Sequence, residues 1–407
     1  MLSDDALQNL LQPIIDRQEN INTWVIEQIA SRIKDIGGVL PSDVNKLIAL
    51  RNTGADARRI IKEIARQTKL QASEIRSIVE KVAKDAYLDA KPFYRKSGKP
   101  YIPWDENRPL QRFVDALAKR TADTYENIAQ AQAFMLRDLK HPKVLMPTPI
   151  AKAYQSVVDE AIQVTSTGTI DYGTAMRRTL KQLVDSGLRR VEYNTETGRR
   201  YTQRLDTAVR RNLLDGLRGV NQEVQNRVGE EFGANGVEIS VHSNPAPDHA
   251  EMQGHQFTNE EFDKMQNGED FYDIQGRKYT GFERAVGTLN CRHFAYSIII
   301  GAMGQNYTDK QLQEILDRNN KGYTLPNGKH LTMYECTQYQ RQLETKVRYA
   351  KDGQIAARAA GDMDLAKEYQ TKINKYTAEY KAFSKACGLS PKMMKMTVSG
   401  YQKISVK

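Results

Sequence analysis

"VEISVHS", residues 237–243, is where this chain changes its period. Val237, Ile239 and Val241 alternate with Glu238, Ser240 and His242. A period of two marks a strand with one face turned to a core. On both sides of it the apolar residues recur every three or four positions, which is helical spacing. The expected fold class is therefore mainly α with a small α+β module: helical N-terminal and middle regions, a compact α+β domain near 236–330 and a helical, basic C-terminal tail. The corresponding segments are 1–140, an arginine-rich 150–235, 236–330 and 331–407.

Downstream of the strand, "FYDIQGRKYT" reads as a hairpin turning at Gln275-Gly276. "YTLPNGKHLT" reads as another, with Asn327-Gly328 suited to a type I′ turn. Between them a helix opens on a capping box of Thr308 and Gln311. Beyond, Thr332 and Glu335 offer a second box; that helix should run to about Lys351 and close at Asp352-Gly353. A last helix spans roughly 362–386 and ends at Gly388, with a flexible stretch from there to Lys407.

Upstream, "LQNLLQPIIDRQENINTWVIEQIASRIKDI" carries Leu7, Leu10, Leu11, Ile14, Ile15, Ile21, Trp24, Val25, Ile29 and Ile33 at three- and four-residue spacing. After "IGGVLPSDV", Ser42 suits an N-cap for a short helix to Ala49, followed by two more helices, the second capped by Gln71 or Ser73. Residues 91–110, with four prolines, read as extended or as a boundary. Helix then resumes over 110–136, a second proline-rich break falls at 140–149, and helix dominates again to 232, with "VEYNTETGRRY" as a strand-turn or loop between two helices.

With 407 residues, 40% hydrophobic and 27% charged, the chain is long enough for several domains. The mean hydropathy of −0.64 indicates much solvated surface. The opening lacks a basic and apolar leader pattern, and no apolar run is long enough to cross a bilayer, so neither a signal peptide nor a membrane segment is expected. Three scattered cysteines do not make a disulfide framework. A net charge of +10 points to an acidic partner. Eleven arginines lie between Arg177 and Arg227 beside six acids, the composition of an ion-paired face. The tail 331–407 is less balanced, with fourteen Lys/Arg and seven Asp/Glu, a net of +7. There Arg341, Lys346, Arg348, Lys392, Lys395 and Lys403 are the candidate contacts to nucleic acid or an acidic protein.

No phosphate-binding glycine loop, H-E-x-x-H, paired C-x-x-C or G-x-S-x-G occurs. The residues that do not read as scaffolding are "NCRH", 290–293, and the histidines of "HSNPAPDHAEMQGHQF". Three readings compete. His249, His255, Cys291 and His293 have the nitrogen and sulfur composition of a zinc site. Cys291 with His249 as base has the composition of a nucleophilic site. The third and favoured reading is a structural polar cluster of His249, Gln253, Asn290, Cys291 and His293 that ties two loops together, with no metal, no cofactor and no catalytic residue.

"RLDTAVRRNLLDGLRGVNQEV", "EISVHSNPAPDHAEMQGHQF", "GTLNCRHFAYSIIIG", "TMYECTQYQRQLETKVR" and "FSKACGLSPKMMKMTVSGY" follow one another in an order that resembles the minor capsid protein 2 family of tailed bacteriophages, related to phage head-morphogenesis proteins. The resemblance covers roughly 150–407. It implies a structural head protein of the virion, at or near the portal, acting in head assembly or DNA delivery. Its implied partners are portal and capsid proteins and packaged DNA, with assembly in the host cytoplasm and no enzymatic activity. The family's His-x-x-x-Gln-Gly pattern falls on His249, Gln253 and Gly254, and its Asn-Cys-Arg-His on Asn290 to His293. Met252 replaces a frequent aromatic, and a frequent second cysteine before Asn290 is absent, which counts against a two-cysteine metal site. The alternative is an enzyme or toxin-like module that uses the His/Cys residues.

Overall fold

The computed structural model describes residues 4–37, 43–130, 133–137, 145–149, 152, 156, 172–185, 190–194, 200–273, 276–281, 284–287 and 291–406. The fold is mainly α with several small antiparallel sheets. Two compact units share the chain. One comprises Met1–Gln12, Ala72–Tyr125 and Arg210–Gln338; the other comprises Pro13–Gln71, Glu126–Val209 and Tyr339–Lys407.

The N-terminal helices are α1 (Asp4–Gly37) and α2 (Asp43–Asp89). Three helices were expected where α2 is one, 47 residues long. At 1.5 Å per residue it spans about 70 Å. Its only glycine, Gly54, weakens a helix by about 1 kcal/mol relative to alanine but does not stop it, and no proline interrupts it. Thr68 Oγ1 donates to the Ile64 carbonyl (2.8 Å), so this hydroxyl is satisfied within the helix, and Gln71 and Ser73, the expected caps, lie inside it. Ser42 lies outside the described residues.

In the first unit, 91–110 is not a boundary, and only the stretch around Pro103 is extended. It holds the short helix α3 (Lys91–Ser97), a 3₁₀ turn at Trp104–Glu106 and the start of α4 (Arg108–Gln130). The aromatic residues explain why. Tyr87 stacks on Tyr101 at 5.2 Å and meets Tyr94 edge-on at 6.2 Å. The Tyr87 hydroxyl donates to the Ile102 carbonyl (2.8 Å) and accepts from Asn107 Nδ2 (3.2 Å).

The α+β module follows α6 (Leu205–Phe232). Its sheet has the order β6-β5-β9, with β5 Gly236–Ile239, β6 Gln256–Thr258 and β9 Ala295–Ile298, all antiparallel. The register pairs Val237 with Phe257 and with Ser297. β9 is an edge, and Gln222 of α6 covers it: its amide donates to the Ala295 carbonyl (2.7 Å) and accepts from the Ala295 N–H (3.0 Å). Ladder groups that would face solvent are thereby satisfied. The core joins Val237, Ile239, Met252, Phe257, Met265, Phe271, Tyr279 and Ala295. Phe271 and Tyr279 come from the hairpin β7 (Phe271–Tyr272) and β8 (Lys278–Tyr279).

The expected alternation along β5 holds only in part. All four residues are buried, Glu238 included. Glu238 accepts from Asn306 Nδ2 (2.7 Å) and Gln256 Nε2 (2.9 Å), so the polar face is covered by the chain that follows β9. Helix α7 (Asn259–Gln266) lies between β6 and β7 and is capped by Thr258 and Glu261. α8 (Asp309–Lys321) has the expected Thr308–Gln311 box. The hairpin of β10 (Tyr323–Thr324) and β11 (His330–Leu331) forms, but its turn is not type I′. Leu325 N donates to Lys329 O and Gly328 N to Leu325 O, both at 2.9 Å, which closes a three-residue loop with Gly328 at φ 83°. Pro326, locked at negative φ, leads such a loop naturally.

In the second unit the strands β1 (Ala133–Arg137), β2 (Leu145–Pro149), β3 (Arg190–Asn194) and β4 (Arg200–Arg204) form a sheet of order β2-β1-β3-β4. This corrects the helix expected through residue 136 and the break at 140–149. "AFMLR" is rich in good helix formers; pairing with β2, and at Ala133 with β3, makes it a strand. Helix α5 (Tyr172–Asp185) precedes β3.

Helices α9 (Met333–Ala359) and α10 (Met363–Ala386) complete the chain. α9 keeps its Thr332–Glu335 cap but does not stop at Gly353. A Cβ at Gly353 would stand 2.4 Å from the Tyr369 ring, so the glycine admits close approach of α10 rather than ending α9. Nor is the tail loose. Met396 and Val398 are buried, Lys351 Nζ donates to Met396 O (2.7 Å), Gln354 Nε2 to Gln402 O (2.6 Å) and Thr23 Oγ1 to Ser399 O (2.8 Å).

Candidate functional site

Two loops of the α+β module deliver the histidines and the cysteine. After β5 the chain is held by Ser240 N on Phe294 O (2.8 Å) and Gly254 N on Ile239 O (2.7 Å). Between these anchors a 3₁₀ turn at Pro247–His249 points His249 inward, where it is 1% exposed. Asp248 clasps Arg284 through a two-point fork, Arg284 Nε to Oδ2 at 2.7 Å and Nη2 to Oδ1 at 2.8 Å. The Arg284 carbonyl in turn accepts from His249 Nε2 at 2.8 Å. Gly254, at φ 75°, ends the loop; a Cβ there would meet Leu312 Cδ2 at 2.5 Å.

From the other side the segment leading into β9 carries Cys291 and His293 in, both buried. Cys291 Sγ lies 3.3 Å from His249 Nδ1 and 3.6 Å from His293 Nδ1, and accepts from the His293 N–H (3.4 Å). His293 Nε2 is 3.3 Å from Gln253 Oε1, which also accepts from His242 N (2.9 Å). The structure thus brings together His249, Gln253, Cys291 and His293. Asn290 lies outside the described residues. His255 stands apart from this group, half-buried beside Tyr279 at 6.5 Å between ring centroids.

Burial sets the protonation. It lowers His293 to about 2, helped by the neighbouring His242, His249 and Arg284. It lowers His249 as well, against the opposing pull of the Arg284 carbonyl and Asp248. Burial pushes the Cys291 thiol up, against two backbone N–H donors from Gly287 and His293 and the Arg284 charge. Burial pushes Asp248 up too, but the Arg284 fork and His249 outweigh it and hold the carboxyl low. Without a metal the group is two neutral imidazoles and a thiol. A buried protonated thiol is a poor nucleophile, whereas the same three atoms form a nitrogen and sulfur ligand set.

Sequence reasoning did not find the Asp248–Arg284 fork, nor His242, whose ring meets that of His293 edge-on at 4.5 Å. The alternation of 237–243 had placed His242 on the outer face, and nothing in the spacing links Asp248 to Arg284.

The basic candidates divide. Lys346, Lys392 and Lys403 are exposed; Arg341 and Lys395 are half-buried. Lys346 Nζ also sits 5.8 Å over the Tyr376 ring. Arg348, expected on an exposed face, is buried. It donates to Asp206 and, at 3.2 Å, to Thr207 Oγ1. Asp206 also accepts from Arg204 Nε (3.0 Å), and Arg204 Nη1 reaches Asp352 Oδ2 (2.7 Å). Two arginines and two aspartates thus neutralise one another inside the second unit, which satisfies charges that burial would otherwise expel.

No helix among the described residues is long and apolar enough to cross a membrane. No curated protein and no solved structure matches the chain. A family model described as phage minor capsid protein 2 matches residues 2–385 and so takes in the N-terminal helices, which carry no distinctive motif of their own. Extending through both units, that match establishes the chain as a member of the phage minor capsid protein 2 family, a structural protein of the bacteriophage virion.

Proposed function

We propose that the chain acts at or near the portal vertex of the phage head, in head assembly or DNA delivery, and that it does so without catalysing a reaction. The observation that carries this is the family match over residues 2–385, which spans both units. The burial of Cys291 favours a structural role for the cluster over a nucleophilic one, because a reactive thiolate needs exposure and activation. Exposed Lys346, Lys392 and Lys403 favour contact with packaged DNA or with an acidic face of a portal or capsid protein. Assembly in the host cytoplasm follows from that role.

Crosslinking and mass spectrometry of purified particles test the reading. Crosslinks from this chain to the portal protein are expected. Crosslinks only to the major capsid protein would reject the portal placement, and absence of the chain from particles would reject the reading altogether.

A further inference from the structure

The hydrogen positions in the cluster follow from its partners. The Arg284 carbonyl oxygen can only accept, so His249 carries its hydrogen on Nε2. Gln253 Oε1 accepts from the His242 backbone N–H, which identifies it as the amide oxygen, so His293 also carries its hydrogen on Nε2. A neutral imidazole has one N–H, and both Nδ1 atoms therefore present lone pairs. Both converge on Cys291 Sγ, at 3.3 and 3.6 Å. The thiol has one hydrogen and can donate it to one nitrogen at a time. A cation between them engages all three lone pairs at once.

We propose that His249 Nδ1, Cys291 Sγ and His293 Nδ1 bind a zinc-type divalent ion. Binding replaces the thiol proton, which leaves to solvent, and the thiolate and two neutral imidazoles become the ligands. The spacing agrees. Zinc bonds of about 2.0–2.1 Å to nitrogen and about 2.3 Å to sulfur at a tetrahedral angle set sulfur and nitrogen roughly 3.6 Å apart. All three ligand atoms lie within 4.8 Å of one another, in a fully buried group.

The surroundings are those of a ligand shell. Histidine ligands typically donate their other N–H to a carbonyl or carboxylate, which fixes the tautomer, and here both do. Backbone N–H groups of Gly287 and His293 point at the sulfur and favour a thiolate. The Asp248–Arg284 fork fixes the loop that carries His249. Imidazole and thiolate select zinc-like ions over magnesium or calcium, which prefer oxygen. The fourth position falls to water. This is a closed site that ties two loops, and it does not depend on where in the head the protein sits.

The test uses the full chain, stripped with a chelator and titrated with cobalt(II). About one equivalent should bind, with a sulfur-to-cobalt charge-transfer band and the visible bands of a tetrahedral site, and zinc should displace it. Cys291→Ser should lose the charge-transfer band, and His255→Ala should keep it. If Cys291→Ser does not fold, the wild-type spectrum decides alone: a wild-type titration without a sulfur-to-cobalt band overturns the proposal. So does stoichiometric binding with an unchanged spectrum in Cys291→Ser or His293→Ala.

Discussion

Lowering the pH from 7 to 5 in the presence of a chelator should weaken the first unit through His293. Its imidazole titrates at about 2 in the fold because it is buried beside His242, His249 and Arg284, against an ordinary 6.5. Between those values the unfolded chain binds a proton that the folded chain does not. Stability is therefore fully present above about pH 6.5 and is lost as pH falls toward the folded value. For one such group the loss from pH 7 to 5 is about 2 kcal/mol. His249 and His255, both lowered by burial, add losses of the same sign. Asp248, held low by Arg284 against its burial, has its effect only below about pH 4, outside this window. Trp104 belongs to the first unit and Trp24 to the second. In a Trp24→Phe background, denaturant unfolding followed by fluorescence reports the first unit alone. His293→Gln should reduce the pH-dependent loss by about 2 kcal/mol, whatever its effect at pH 7. An identical loss in the two proteins would refute the argument, as would an NMR titration of the wild-type His293 ring near 6.5.

Asp206→Asn removes the anion shared by Arg204 and Arg348 and leaves one buried carboxylate, Asp352 on Arg204, to offset two buried guanidinium groups. A loss of about 3–5 kcal/mol is expected in the second unit, read from Trp24 in a Trp104→Phe background. Gly353→Ala sets two effects against each other: alanine favours a helix by about 1 kcal/mol, but its Cβ meets the Tyr369 ring at 2.4 Å, and overpacking costs about 1–3 kcal/mol. A net loss is expected in thermal unfolding, and it should vanish when Tyr369→Leu removes the ring. Truncation before Leu389 exposes what Met396 and Val398 cover. Each buried side chain of this size contributes about 1.5–3 kcal/mol, so the shortened chain should unfold at lower denaturant, beyond any change in polyanion affinity.

Local chemistry was legible wherever one stretch of chain carries its own signal. The capping boxes at Thr308 and Thr332, the hairpin around Gly276 and the end of α10 before Gly388 all depend on contacts a few residues apart. The helical stripe of α1 and the strand expected at 237–243, which ends at Ile239, were visible for the same reason. The family resemblance over 150–407 also lies in the sequence, because motif order needs no coordinates. What tertiary structure alone decided involves partners outside the stretch that carries the local signal. "AFMLR" becomes a strand through pairing with residues 145–149 and 190, Glu238 is buried under Asn306, and Gly353 continues a helix because Tyr369 packs on it. Arg348 reads as a surface cation until Asp206, 142 residues away, meets it. The cluster divides in the same way. Its composition could be read from "NCRH" and the loop histidines, but the aim of two Nδ1 lone pairs at one sulfur depends on Arg284 and Gln253 fixing both tautomers, and a one-dimensional pattern does not encode the direction of a lone pair.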